Sequence, residues 1–139
     1  MSATVLYTPE VLGLATSLAA WPWDDGLPLR GEARSRSCGS TLRLGLATDD
    51  AGRIARIGLR AQACAVGQAA AAIFAAGALG RNAADIAQAD RAIAGWLAGE
   101  GPLPDWPGIG AIAPARDYPG RHSAIRLAWT AASDLLPTG

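Results

Sequence analysis

The apolar positions of this chain change period once along its length, and that change divides it into a strand-forming part and a helix-forming part. Residues 9–20 open with a short helical stretch, in which Thr8 stands as N-cap, Pro9 at the first helical position and Glu10 in the first turn, where the helix dipole favours an acid. Residues 21–29 hold two Pro, two Asp and a Gly, which breaks the helix into a loop. Residues 30–37 alternate Glu32, Arg34 and Arg36 with small side chains, the mark of an edge strand with charges turned outward. Residues 41–48 place Leu42, Leu44 and Leu46 on one face, and residues 53–60 place Ala55, Ile57 and Leu59 on one face. Between them Asp49, Asp50, Ala51 and Gly52 supply hairpin chemistry. Three strands in this order make an antiparallel meander.

From Cys64 the spacing becomes helical. Residues 64–79 form an Ala-rich helix, and residues 83–98 form one or two further helical segments with Ile86, Ala89, Ile93 and Leu97 at spacings of three and four. Residues 99–119 contain five Pro and four Gly and read as a long loop with room for one helical turn. A final helix over 121–136 carries Ile125, Ala128, Trp129 and Leu135. The predicted fold class is α+β, a three-stranded antiparallel meander packed against helices, in one domain covering residues 1–139.

At 139 residues and 50% apolar composition the chain can bury a core without disulfides or a metal staple. Its two cysteines are too few for a disulfide framework, and the first twenty residues lack the basic start of a signal peptide, so a cytoplasmic location is expected. Residues 61–80 carry no charge, the length of a membrane span, but are mostly Ala and Gly, so insertion would be poorly driven and no membrane is expected. Net charge is zero, which gives no reason to expect nucleic acid. The charge is uneven, however. Residues 30–60 hold seven Arg against three acids, a solvated face or a docking surface for an acidic partner.

Cys38 and Cys64 are 26 positions apart, which matches no CxxC-type metal signature. The meander brings them together, because the first strand ends beside Cys38 and the third delivers Cys64 to the same edge. Cys64 also stands where a strand gives way to a helix, a setting that favours the metal-binding thiolate, although buried structural cysteine is the plain alternative. His122, the one histidine, begins the last helix. Gly108, Gly110 and Ala113 fit the letters of a dinucleotide fingerprint, but Pro107 and Pro114 bracket them and no strand precedes them. No nucleophile and base pair can be assembled, so an enzyme is not expected.

In the order of these features, and in Ser37-Cys38-Gly39-Ser40, Ala63-Cys64-Ala65-Val66 and Arg121-His122-Ser123 followed by Ile125, Leu127, Ala128 and Trp129, the chain resembles the iron–sulfur cluster assembly scaffold family, the NifU N-terminal or IscU/SufU-like domain. The Leu-Ala-Trp run is closest to the SufU-like branch. The resemblance implies a scaffold that holds a [2Fe–2S] cluster, iron or zinc, with a cysteine desulfurase and iron–sulfur acceptor proteins as partners. Cys38 and Cys64 match two of the family's three ligand cysteines, and His122 would add a third ligand. Ser123 stands where the family has its remaining Cys, and Ser40 where it has Asp. Two alternatives follow: a binding module that kept the fold without the cluster, and a sulfur-transfer role with Cys64 as persulfide carrier.

Overall fold

The computed structural model describes residues 8–35 and 39–136. Helix α1 (Pro9–Thr16) starts as its sequence dictates, with Thr8 Oγ1 accepting from Val11 N at 3.2 Å. The helix predicted to reach residue 20 tightens into a 3-10 turn over Ser17–Ala20. The Thr16 and Ser17 hydroxyls bond back to the carbonyls of Leu12 and Leu14, a competition that commonly bends or ends a helix.

The meander is present as strands β1 (Leu29–Arg34), β2 (Thr41–Thr48) and β3 (Ile54–Gln62), antiparallel in that order. Ser35 has already left the first strand, and Arg36 and Ser37 of its predicted span lie outside the described residues. Asp49 Oδ1 closes the β2–β3 hairpin by accepting from the Ala51 and Arg53 amides, each at 2.9 Å, while Gly52 takes φ +78°. Leu42, Leu44 and Leu46 all face the core. In β3 the pattern departs from the prediction. Ala47 pairs with Arg56 but Thr48 pairs with Ile54, so a bulge ejects Ala55 to the surface and turns Ile54 inward.

Helix α2 (Ala65–Ala78) is buried on nearly every side, and its alanines let neighbouring elements approach closely. The segment after it is a single helix, α3 (Ala83–Leu97), begun by a capping box between Asn82 and Asp85 and burying Ile86, Ile93, Trp96 and Leu97. Helix α4 (His122–Leu135) packs against β1, β2, α2 and α3. Residues 99–119 hold more order than expected, with a 3-10 segment at Ile109–Asp117 and Trp106 driven into the core. Trp106 stacks on Phe74 at 5.9 Å and meets Trp129 edge-on at 5.4 Å, and its Nε1 donates to Ile73 O at 2.9 Å. Among the described residues no helix is long and apolar enough to cross a membrane.

The loop after the 3-10 turn straps the outer face of the sheet. Leu27 is buried over Gly45 and Gly58, and Leu59 N donates to Trp21 O at 3.0 Å. A Cβ on Gly58 would stand 2.7 Å from Pro22 O, which is backbone and cannot swing aside. Gly58→Ala is therefore expected to lower unfolding free energy by about 1–3 kcal/mol in urea titration, as overpacking does.

Candidate functional site

The sheet register brings one end of the meander to the start of two helices. Arg34 pairs with Thr41 and Thr41 with Gln62, so the β1–β2 turn and the exit of β3 lie at the same edge. Cys38 belongs to that turn but lies, with Arg36 and Ser37, outside the described residues. The turn's ends are pinned, since Ser35 N donates to Ser40 O at 2.8 Å and Gly39 adopts φ +70°.

Two residues beyond Gln62, Cys64 takes the N-cap position of α2 with extended backbone (φ −64°, ψ 168°). An N-cap side chain usually accepts from the second or third amide of its helix, but the thiol makes no such bond. Cys64 is a free, half-buried cysteine. Its backbone is fixed by Gln68, whose amide donates to Cys64 O at 2.9 Å and whose Nε2 donates to Ala63 O at 2.9 Å. Gly67 shows what stands opposite. A Cβ there would lie 3.8 Å from Cys64 Sγ and 3.4 Å from the Ala124 Cβ, so the first turn of α4 packs on the first turn of α2 at Gly67.

That first turn spreads its side chains in three directions. Ala124 packs against Gly67 of α2. Ser123 Oγ is 2.6 Å from Ser35 Oγ, a hydroxyl pair that ties α4 to the base of the Cys38 turn. His122 Nε2 lies 2.7 Å from Arg116 O. A carbonyl can only accept, so Nε2 carries the proton, and in the neutral ring Nδ1 keeps a free lone pair. Metal-binding histidines are commonly anchored in this way, with the nitrogen away from the metal donating to a carbonyl. His122 also lines an open hollow of about 400 Å³ with Ala94, Leu97, Ala98, Pro119, Ser123 and Arg126.

The donor set is thus uneven. The Cys64 sulfur makes no capping bond and His122 has one committed nitrogen and one lone pair left in the neutral ring, whereas the hydroxyl at position 123 is already engaged with Ser35. Ser40, at the position where the resemblance implies a carboxylate, is buried. A neutral hydroxyl is a poor ligand beside thiolate or carboxylate, so neither serine completes a four-ligand set. Among the described residues no three His, Cys, Asp or Glu side chains gather as a metal site. Sequence spacing gave no sign of Ser35, because a hydroxyl pair spanning 88 positions has no local pattern.

No protein-family model and no curated protein matches the chain. Solved structures do. The N-terminal part of a nitrogen-fixing NifU-like protein from Brucella abortus aligns with 26% identity over 97% of this chain and 94% of its own, at TM-score 0.85. A protein from the thermophilic Fervidobacterium islandicum AW-1, assigned as an iron–sulfur cluster assembly scaffold for the SUF system, aligns with 16% identity over 95% of this chain and 97% of its own, at TM-score 0.84. The α+β fold, a three-stranded antiparallel sheet packed with helices, is that of these proteins, and the structural neighbours of this chain are the NifU-like N-terminal domain and the SufU iron–sulfur scaffolds.

Proposed function

We propose that this protein is an iron–sulfur cluster assembly scaffold or carrier that holds its cargo through Cys38, Cys64 and His122. The observation that supports it best is the NifU-like neighbour, similar over 97% of the chain, together with an uncapped Cys64 thiol at the sheet end that carries the Cys38 turn. The cargo is a [2Fe–2S] cluster, or iron or zinc in its place. A cysteine desulfurase supplies sulfur, iron–sulfur acceptor proteins take the product, and the work is done in the cytoplasm. The chain carries the cluster and is not a catalyst.

In this reading two thiolates bind the metal strongly, as in most iron–sulfur sites. His122 binds through Nδ1, its ring held by the Nε2 bond to Arg116 O. Three protein ligands leave the cargo with one replaceable position, which suits transient holding better than storage. The Ser35–Ser123 pair favours a second reading, a binding module without a cluster, because it fastens the turn to α4 without any metal.

Anaerobic incubation with ferrous iron, a cysteine desulfurase and cysteine separates the two. The scaffold reading expects iron and sulfide bound in equal amounts, then delivered to an apo-ferredoxin. A chain that takes up neither under those conditions sinks that reading and leaves the binding module.

A further inference from the structure

Sheet geometry concentrates five of the seven arginines of residues 30–60 on one surface. Residues paired across the strands share a face, so the rows Glu32, Arg43, Arg60 and Arg30, Gly45, Gly58 point the same way, with Arg34 and Arg56 in the rows on either side. All five arginines are exposed, on the side of the sheet opposite to Leu42, Leu44 and Leu46. The acids on this surface leave most of that charge unmatched. Asp24, from the strap, binds Arg56 at 2.6 Å, and Glu32 reaches Arg34 at 3.9 Å. Among the described residues no carboxylate lies within 4 Å of Arg30, Arg43 or Arg60.

The rest of the chain carries the compensating negative charge, so the molecule is neutral overall but electrically polarised. A one-signed surface steers partners of opposite sign and sets their orientation. Its position matters too. The row Arg34, Thr41, Gln62 is the last of the sheet, and Cys64 follows two residues later, so the basic surface ends at Cys64.

We infer that the outer face of the sheet, centred on Arg30, Arg43 and Arg60, is a docking surface for an acidic segment of a partner protein, which it orients at the Cys64 end. Guanidinium groups match carboxylates in paired hydrogen bonds. Strand-to-strand spacing of about 4.8 Å sets Arg43 and Arg60 side by side, able to grip neighbouring carboxylates. A nucleic acid fits the face less well. Single strands need open aromatic platforms for their bases, and Trp23, the aromatic in the hollow lined by Arg30, Gly31, Glu32 and Arg43, already has the Arg43 guanidinium 4.3 Å from its ring centre.

The test uses metal-free protein, so its result does not depend on cluster binding. A fluorescein-labelled peptide rich in Glu and Asp is titrated with the wild type at several salt concentrations and followed by anisotropy. The expected result is binding that weakens with salt, and that falls about tenfold or more when Arg43→Glu and Arg60→Glu are combined. Arg91→Glu combined with Ala84→Glu and Gln88→Glu makes the same change in net charge on the exposed face of α3, away from the sheet, and is expected to stay within about twofold of wild type. Equal loss in the two variants, salt-insensitive binding, no binding, or tighter binding of a single-stranded oligonucleotide of equal charge would each overturn the proposal.

Discussion

Cys64→Ala is expected to fold like the wild type and to retain no iron or sulfide after anaerobic reconstitution. The two halves of that expectation have separate grounds. The thiol makes no capping bond and is half-buried, so replacing it costs only part of one buried atom's transfer energy. A change in unfolding free energy below about 1 kcal/mol follows. Cargo binding responds differently, because the proposed site has three protein ligands and, among the described residues, no group of His, Cys, Asp or Glu that could hold a metal without it. Ala124, packed on Gly67, offers only a methyl group, and the Ser123 hydroxyl is engaged with Ser35. Circular dichroism with urea titration reads the first half, and iron and sulfide assays read the second. Undiminished iron in this variant would remove Cys64 from the site, while an unfolded variant would assign the residue to the core.

Trp129→Ala is expected to have the largest effect on stability, a loss of about 3–5 kcal/mol in urea titration. Trp129 is fully buried and meets both Phe74, at 5.6 Å, and Trp106, at 5.4 Å, edge-on. Its removal opens a cavity between α2, α4 and the loop that carries Trp106. That loop cannot close the gap, because Trp106 is tied to Ile73 O and lies 2.6 Å from where a Cβ on Gly77 would stand. Trp129→Phe should cost much less, since Trp129 Nε1 has no hydrogen-bond partner to lose among the described residues. A loss under about 1 kcal/mol for the alanine variant would mean that the aromatic cluster is not the keystone of the helical layer.

How far the sequence could be read depended on whether a feature was local. Leu42, Leu44 and Leu46 alternate, and Asp49 and Gly52 carry their own turn chemistry, so β2 and its hairpin were legible from neighbouring residues alone. The inward turn of Ile54 was not, because a bulge changes the pairing without marking the sequence. Trp106 was hidden in a stretch rich in Pro and Gly, where burial arises from tertiary contact with Phe74 and Trp129 and leaves no period. The convergence of Cys64 and the Cys38 turn followed from counting residues along the meander, and the register agrees. Ser35, by contrast, gains its place only through Ser123, 88 positions away. The position of the Cys38 thiol itself lies outside the described residues, and its part in the site rests on the proposed function.

His122 is the single histidine of the chain, which makes one measurement unusually direct. Protein grown with ¹⁵N-histidine is reconstituted anaerobically with iron and sulfide, reduced, and examined for hyperfine coupling between the cluster's unpaired electron and nitrogen. The account predicts a bound cluster coupled strongly to one histidine nitrogen, with the coupling lost in His122→Ala. A chain that holds no cluster, or a cluster with no coupled histidine nitrogen, would contradict it.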